Sequence, residues 1–252
     1  MDINGKCAVV VGGASGMGRA TAEALASAGA RVAILDREGS DGNAIAEAIG
    51  GRFHAADITD FPGFETVLDE AVAELGGLHV IVTTAGGGTA KKTLGRNGAH
   101  DLETFRQVVD LNLIATFNIN RLAAVHMARN EPEDEERGVI INTSSIAAFE
   151  GQIGQVAYTA AKAGIAGMAL TMARDLGPNG IRVLAIAPSL FATGATAAIP
   201  DDKVAPLVED AAFPKRMGRP GEYAKLALAI VDNAMLNGQC LRLDAGQRFA
   251  PR

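Results

Sequence analysis

A tyrosine and a lysine stand four residues apart in "AYTAAKAG", residues 157–164. On a helix, positions i and i+4 lie side by side on one face. The phenol of Tyr158 and the ammonium of Lys162 therefore point the same way. Either the ring packs on the lysine stem, or the ammonium raises the acidity of the phenol. An unperturbed phenol titrates near pH 10. A neighbouring positive charge favours phenolate and draws the group toward neutral pH, as general acid–base chemistry requires. Ser145 precedes the pair, so the set reads S-x12-Y-x3-K. A strand end, a loop and a helix start can bring its hydroxyl beside the phenol. Asn112, in "DLNLIATFN", sits inside a long helical stretch, where asparagine is a poor helix former. It has either a special role there or that of a capping amide.

A second constellation lies near the start. "VVVGGASGMG" places Gly12, Gly16 and Gly18 between a β-branched run and a helical stretch. Glycine there permits a tight turn and lets backbone N–H groups approach a pyrophosphate, and the helix N-terminus adds a favourable dipole. Asp36 ends the next apolar run, where a carboxylate accepts hydrogen bonds from an adenosine ribose and repels a 2′-phosphate. That pattern favours NAD over NADP, although the adjacent Arg37 offers a 2′-phosphate a partner. Asp57, in "AADIT", either caps the following turn or holds the adenine edge.

These residues need elements to hold them. Apolar runs at 7–13, 30–36, 51–57, 78–86, 138–145, 181–189 and 239–246 alternate with helical stretches at 16–28, 41–49, 62–75, 102–129, 156–177 and 220–232. Continuous β-branched runs suit strands buried on both faces of a parallel sheet. The rhythm predicts a single α/β domain, a Rossmann-type doubly wound parallel sheet of about seven strands flanked by helices. Two long segments, 86–101 and 190–220, leave carboxyl ends of strands, where such sheets bind ligands. The acidic run "EPEDEERG", 131–138, reads as a solvated loop, since consecutive acids do not converge on one ion. No metal site is expected.

The chain has 252 residues, 48% hydrophobic and 21% charged, with 30 glycines and a net charge of −6. That composition fits a globular protein with a large core and argues against nucleic acid as its main partner. No apolar run approaches the ~20 residues that span a bilayer. The first apolar run follows "MDINGK" directly, leaving no room in this sequence for a signal or transit peptide. Cys7 and Cys240 are isolated, read as core residues, and fit a reducing compartment. The expected location is the cytoplasm, with the mitochondrial matrix as the alternative.

Together "VGGASGMG", Asp36, "ADIT", "TTAG", "LNL", "INTSS", "YTAAK" and "APSLFAT" resemble the short-chain dehydrogenase/reductase family over essentially the whole chain. The resemblance implies one NAD-binding domain over 1–252, with 190–220 as a substrate lid. It implies a homo-oligomer, commonly a tetramer, that moves hydride between a nicotinamide and an alcohol or ketone. It makes Tyr158 the acid/base and has Lys162 lower its pKa and bind the nicotinamide ribose. Ser145 holds the substrate oxygen, and Asn112 supports a water in a proton relay. The implied cofactor set is Gly12, Ser15, Gly16, Met17, Gly18, Asp36, Asp57, Ile58, Ala85, Gly86, Tyr158, Lys162, Pro188 and Leu190. The implied substrate set is Ser145, Gln155, Tyr158 and Ser189.

A narrower resemblance, carried by "GVIINTSSIAAFEGQIGQVAYTAAKAG", "FPKRMGRPGEYA" and "LNGQCLRLDAG", is to the type 2 3-hydroxyacyl-CoA dehydrogenases. It implies an acyl-CoA substrate, with Lys91, Lys92 or Arg96 meeting a CoA phosphate. Hydroxysteroid or other secondary-alcohol oxidation, NADPH-dependent reduction of an acyl-carrier-protein substrate, and a non-catalytic nucleotide-binding scaffold are the alternatives. The chain departs from the family at three places: Val11 for threonine, Thr84 for asparagine, and Ser189 for glycine.

Overall fold

The computed structural model describes residues 1–96, 98–197 and 199–251; for Ala195, Ala197, Asp201 and Asp202 it describes the backbone alone. Seven β-branched or apolar runs become the strands β1 (Cys7–Val11), β2 (Arg31–Asp36), β3 (Arg52–Ala55), β4 (Val80–Thr83), β5 (Gly138–Thr143), β6 (Ile181–Pro188) and β7 (Cys240–Leu243). All pair in parallel, in the order β3-β2-β1-β4-β5-β6-β7. The order reverses direction between β1 and β4, and the carboxyl ends on either side of that point frame a crevice.

The main helices are α1 (Gly16–Ser27), α2 (Gly42–Ala48), α3 (Phe61–Leu75), α4 (Leu102–Val109), α5 (Ala115–Met127), α6 (Val156–Leu176) and α7 (Pro220–Asp232). Both faces of the sheet are covered, so β1, β4, β5 and β6 are buried throughout, while the edge strands β3 and β7 are partly exposed. Cys7, Val9 and Val11 pack toward α3 and α5, while Ala8 and Val10 pack toward α1 and α7. This period-two alternation explains why β1 is continuously apolar. A small antiparallel hairpin, Leu94–Gly95 with Gly98–Ala99, occupies the segment after β4.

Three expectations are corrected. The stretch read as one long helix carries a π-helical turn, Asp110–Ile114, between α4 and α5. Over Leu102–Met127 it is also long and apolar enough to cross a bilayer; half of its most apolar window is buried inside the fold. The acidic run does not stay in solvent throughout. Glu136 is 8% exposed and bonds Arg182 at 2.7 Å, and a buried pair of this kind survives only because each charge neutralises the other. Cys7 is a core residue, but Cys240 is only half-buried, because β7 is the sheet edge.

Candidate active site

The turn after β1 is built at glycine-only distances. Gly12 has φ +83°, and a side chain on it would meet the Ala85 backbone nitrogen at 2.5 Å. A Cβ on Gly18 would lie 2.1 Å from the Gly12 carbonyl oxygen, so α1 starts hard against the turn. Ser15, the residue capping α1, makes no side-chain cap bond, and the first turn of α1 holds no acid. By contrast Asp60 and Asp101 accept first-turn N–H groups of α3 and α4. The amides at the start of α1 are thus left for an anion. Asp36 closes the far side: its two carboxylate oxygens accept from the Ala14 and Arg37 N–H groups at 2.9 and 2.8 Å. Each oxygen keeps a further lone pair for a ribose hydroxyl.

Thr84 answers for one departure. Its hydroxyl lies 3.2 and 3.1 Å from the carbonyl oxygens of Val11 and Gly12, tying β4 to the glycine turn. A threonine braces the turn through one shared hydroxyl.

Across the switch point stand the other residues. The glycine turn, Asp36, Asp57, Ser145, Tyr158, Lys162 and the Pro188–Leu190 corner line one cleft of about 550 Å³. Every residue of the predicted cofactor set borders it. Asn112 and Gln155 do not. Asn112 is fully buried behind the cleft, where the π-helical turn opens the backbone. Its Nδ2 donates to the carbonyls of Val108 (2.8 Å) and Gly87 (2.6 Å), and its Oδ1 accepts from the Gly87 N–H (3.2 Å). The side chain is a clamp on Gly87, which accounts for an asparagine inside a helix. Gln155 borders a side pocket of about 210 Å³ next to Tyr158, and its Oε1 accepts from the Gln152 N–H. Asp57 accepts from both the N–H and hydroxyl of Thr59, at 2.8 and 2.7 Å, so it does hold the following turn while facing the cleft.

Burial dominates the electrostatics of the pair. Lys162 is 4% exposed; its ammonium donates to the Thr143 carbonyl at 2.8 Å and lies 5.5 Å from the centre of the Tyr158 ring. Burial pushes the Tyr158 phenol up, and the Ser145 hydroxyl beside it pulls it down. The Lys162 ammonium faces the Thr143 carbonyl and the Tyr158 ring. Burial lowers Lys162 itself to about 8. The "INTSS" motif holds Thr143, whose carbonyl anchors that ammonium, but its residue type does not mark this role, since any residue supplies a carbonyl. Thr193 and Thr196 also line the cleft unforeseen.

The 190–220 segment splits into anchors and exposed groups. Phe191, 6% exposed, packs under Gly218, while Phe213 is 84% exposed. Leu190 faces the cleft.

A sequence profile described as short chain dehydrogenase matches residues 6–204. The chain is 47% identical over 254 residues to the type-2 3-hydroxyacyl-CoA dehydrogenase of Homo sapiens, covering 99% of this chain and 97% of that one. The crystal structure of a type-2 3-hydroxyacyl-CoA dehydrogenase from Mycobacterium avium superposes with a TM-score of 0.94 at 39% identity, covering 98% of both chains. A 7 alpha-hydroxysteroid dehydrogenase complexed with NADH and 7-oxo glycochenodeoxycholic acid superposes with a TM-score of 0.87 at 28% identity, covering 99% of this chain and 97% of that one.

Proposed function

The chain belongs to the short chain dehydrogenase family, and from that premise we propose that it is an NAD-dependent oxidoreductase interconverting (S)-3-hydroxyacyl-CoA and 3-oxoacyl-CoA. The observation that supports this best is one cleft that joins the glycine turn and Asp36 to Ser145, Tyr158 and Lys162. The near full-length likeness to type-2 3-hydroxyacyl-CoA dehydrogenases supports the substrate class. The residues fit the cofactor: the turn at Gly12 and Gly18 admits no side chain, the α1 amides suit a pyrophosphate, and Asp36 suits a ribose with a free 2′-hydroxyl. Lys162 would hold the nicotinamide ribose.

When bound, NAD supplies the nicotinamide that exchanges hydride with the carbinol carbon. The chain's own residues handle the oxygen and the proton. Ser145 donates to the substrate oxygen. In the oxidising direction the Tyr158 phenolate takes the hydroxyl proton; in the reducing direction the phenol returns it. Burial works against phenolate in the protein alone, so the positive charge of the oxidised nicotinamide, with Lys162, offsets that penalty. Lys162, lowered to about 8, gives up and regains a proton at modest cost near neutral pH, which suits a relay toward water. Asn112 keeps Gly87 in place beside it.

Steady-state NADH oxidation with acetoacetyl-CoA tests this reading, run beside NADPH and a panel of steroid ketones. Turnover of acetoacetyl-CoA with NADH, and little with NADPH, is the expected outcome. Silence on acetoacetyl-CoA with turnover of steroid ketones would move the substrate to the hydroxysteroid class, which the second structural likeness favours.

For the CoA tail, Lys92 and Arg96 are the cations we assign to a phosphate, on an exposed loop beside a pocket of about 620 Å³. Lys91 is already paired with Asp101 and contributes less. Reversing the charge of Lys91, Lys92 and Arg96 together is expected to raise KM for acetoacetyl-CoA about tenfold while leaving kcat and KM for NADH in place. An unchanged acetoacetyl-CoA KM would remove this assignment.

We also propose a homotetramer. Ile114, Phe117, Val125, Val156 and Leu170 are 40–51% exposed on or beside α5 and α6, a row of large apolar groups that suits a self-complementary contact. Light scattering after size exclusion should give four chains per particle, and Phe117→Asp with Val125→Asp should give fewer. A wild-type monomer would end this reading.

A further inference from the structure

Ser189 stands where the family resemblance expects glycine, at the corner that follows β6. The structure shows where that extra hydroxyl lies. Ala185 packs against Ile165 and Ala169 of α6, while Ile186 packs on the opposite face of the sheet. The Ser189 N–H donates to the Leu243 carbonyl at 3.2 Å, so pairing with the β7 strand runs on to this residue. Alternation along a strand then puts Ser189 on the face of Ala185, the face of α6, from which Tyr158 and Lys162 project. Ser145 and Ser189 each lie just past the carboxyl end of one of two adjacent strands, β5 and β6, where the chain leaves the sheet toward the cleft.

The residue is half-buried and lines the same cleft as Ser145 and Tyr158. Among the described residues its hydroxyl has no hydrogen-bond partner, whereas the neighbouring Ser144 hydroxyl donates to the Lys162 carbonyl at 2.8 Å. A ligand oxygen a few ångströms from the one held by Ser145 and Tyr158 would meet this free donor. A 3-oxoacyl thioester carries such an oxygen: its thioester carbonyl is 1,3-related to the reacting carbonyl. We propose that Ser189 is a specificity-determining residue that donates a hydrogen bond to the thioester carbonyl, selecting substrates with a second carbonyl β to the reacting carbon. This rests on the 3-hydroxyacyl-CoA reading of the site.

The test is a kinetic comparison of the wild type with Ser189→Ala and Ser189→Gly. The substrates are acetoacetyl-CoA and its thioether analogue, which has CH2 in place of the thioester carbonyl. Both variants are expected to lose about tenfold in kcat/KM for acetoacetyl-CoA. KM for NADH stays unchanged, and the thioether is handled alike by all three proteins. Ser189→Gly, which only adds space beyond Ser189→Ala, should do no better than it. An unchanged kcat/KM for acetoacetyl-CoA, a gain from the added space, an equal loss on the thioether, or a matching rise in KM for NADH would each overturn the role. Wild-type silence on acetoacetyl-CoA overturns the underlying substrate reading instead, and the role with it. Wild-type turnover with an indifferent Ser189→Ala overturns the role alone.

Discussion

Tyr158→Phe is expected to lower kcat by about 10²–10⁴-fold, the usual contribution of a positioned acid–base group, while NADH affinity stays at the wild-type level. Beside Ser145 the phenol is the group assigned to exchange a proton with the substrate oxygen, and the substitution removes the phenol oxygen alone. The ring remains to pack against Gly88, where a Cβ would lie 2.9 Å from it, and against the Lys162 ammonium. The wall therefore keeps its shape. Single-turnover kinetics together with fluorescence titration of NADH separate the two effects. Turnover close to wild type would sink the proton-transfer role.

The second large effect belongs to the glycine turn. Gly18→Ala places a Cβ 2.1 Å from the Gly12 carbonyl oxygen and 2.5 Å from the Thr84 hydroxyl. The first neighbour is backbone and cannot rotate away, so the start of α1 must move off the turn. Overpacking of this kind costs about 1–3 kcal/mol, and the displaced amides no longer face the pyrophosphate. NADH affinity is expected to fall about ten- to a hundredfold, with a lowered melting temperature. Calorimetric titration beside circular dichroism checks this: a folded variant that binds NADH as the wild type does would show that the turn is not the phosphate cradle.

Much of this protein was legible before folding was considered, because the signals are local. Strand runs buried on both faces must be continuously apolar, as in "CAVVV", so the central strands could be read directly, while the partly exposed edge strands "RFHA" and "CLRL" carry polar residues within shorter runs. Gly12 needs a positive φ, and Gly18 a missing Cβ, whatever else the chain does. Tyr158 and Lys162 are neighbours by helix geometry alone, and Asp36 ends β2 by its place in the pattern.

What the tertiary structure decided are partnerships between residues far apart in sequence. Spacing brought Lys162 beside Tyr158, but packing against β5 gave its ammonium to the Thr143 carbonyl, nineteen positions away. A poor helix former marked Asn112, yet only the close approach of the segment after β4 turned its amide into a clamp on Gly87. Thr84 stood only as a departure from the family until the turn after β1 lay against it and its hydroxyl met two carbonyls. Glu136 read as solvated until β6 brought Arg182 into reach. Each outcome turns on which backbone oxygen or opposite charge lies across the sheet. Composition and periodicity encode a residue's own preference for burial and conformation; the identity of its distant neighbour comes only from the assembled sheet.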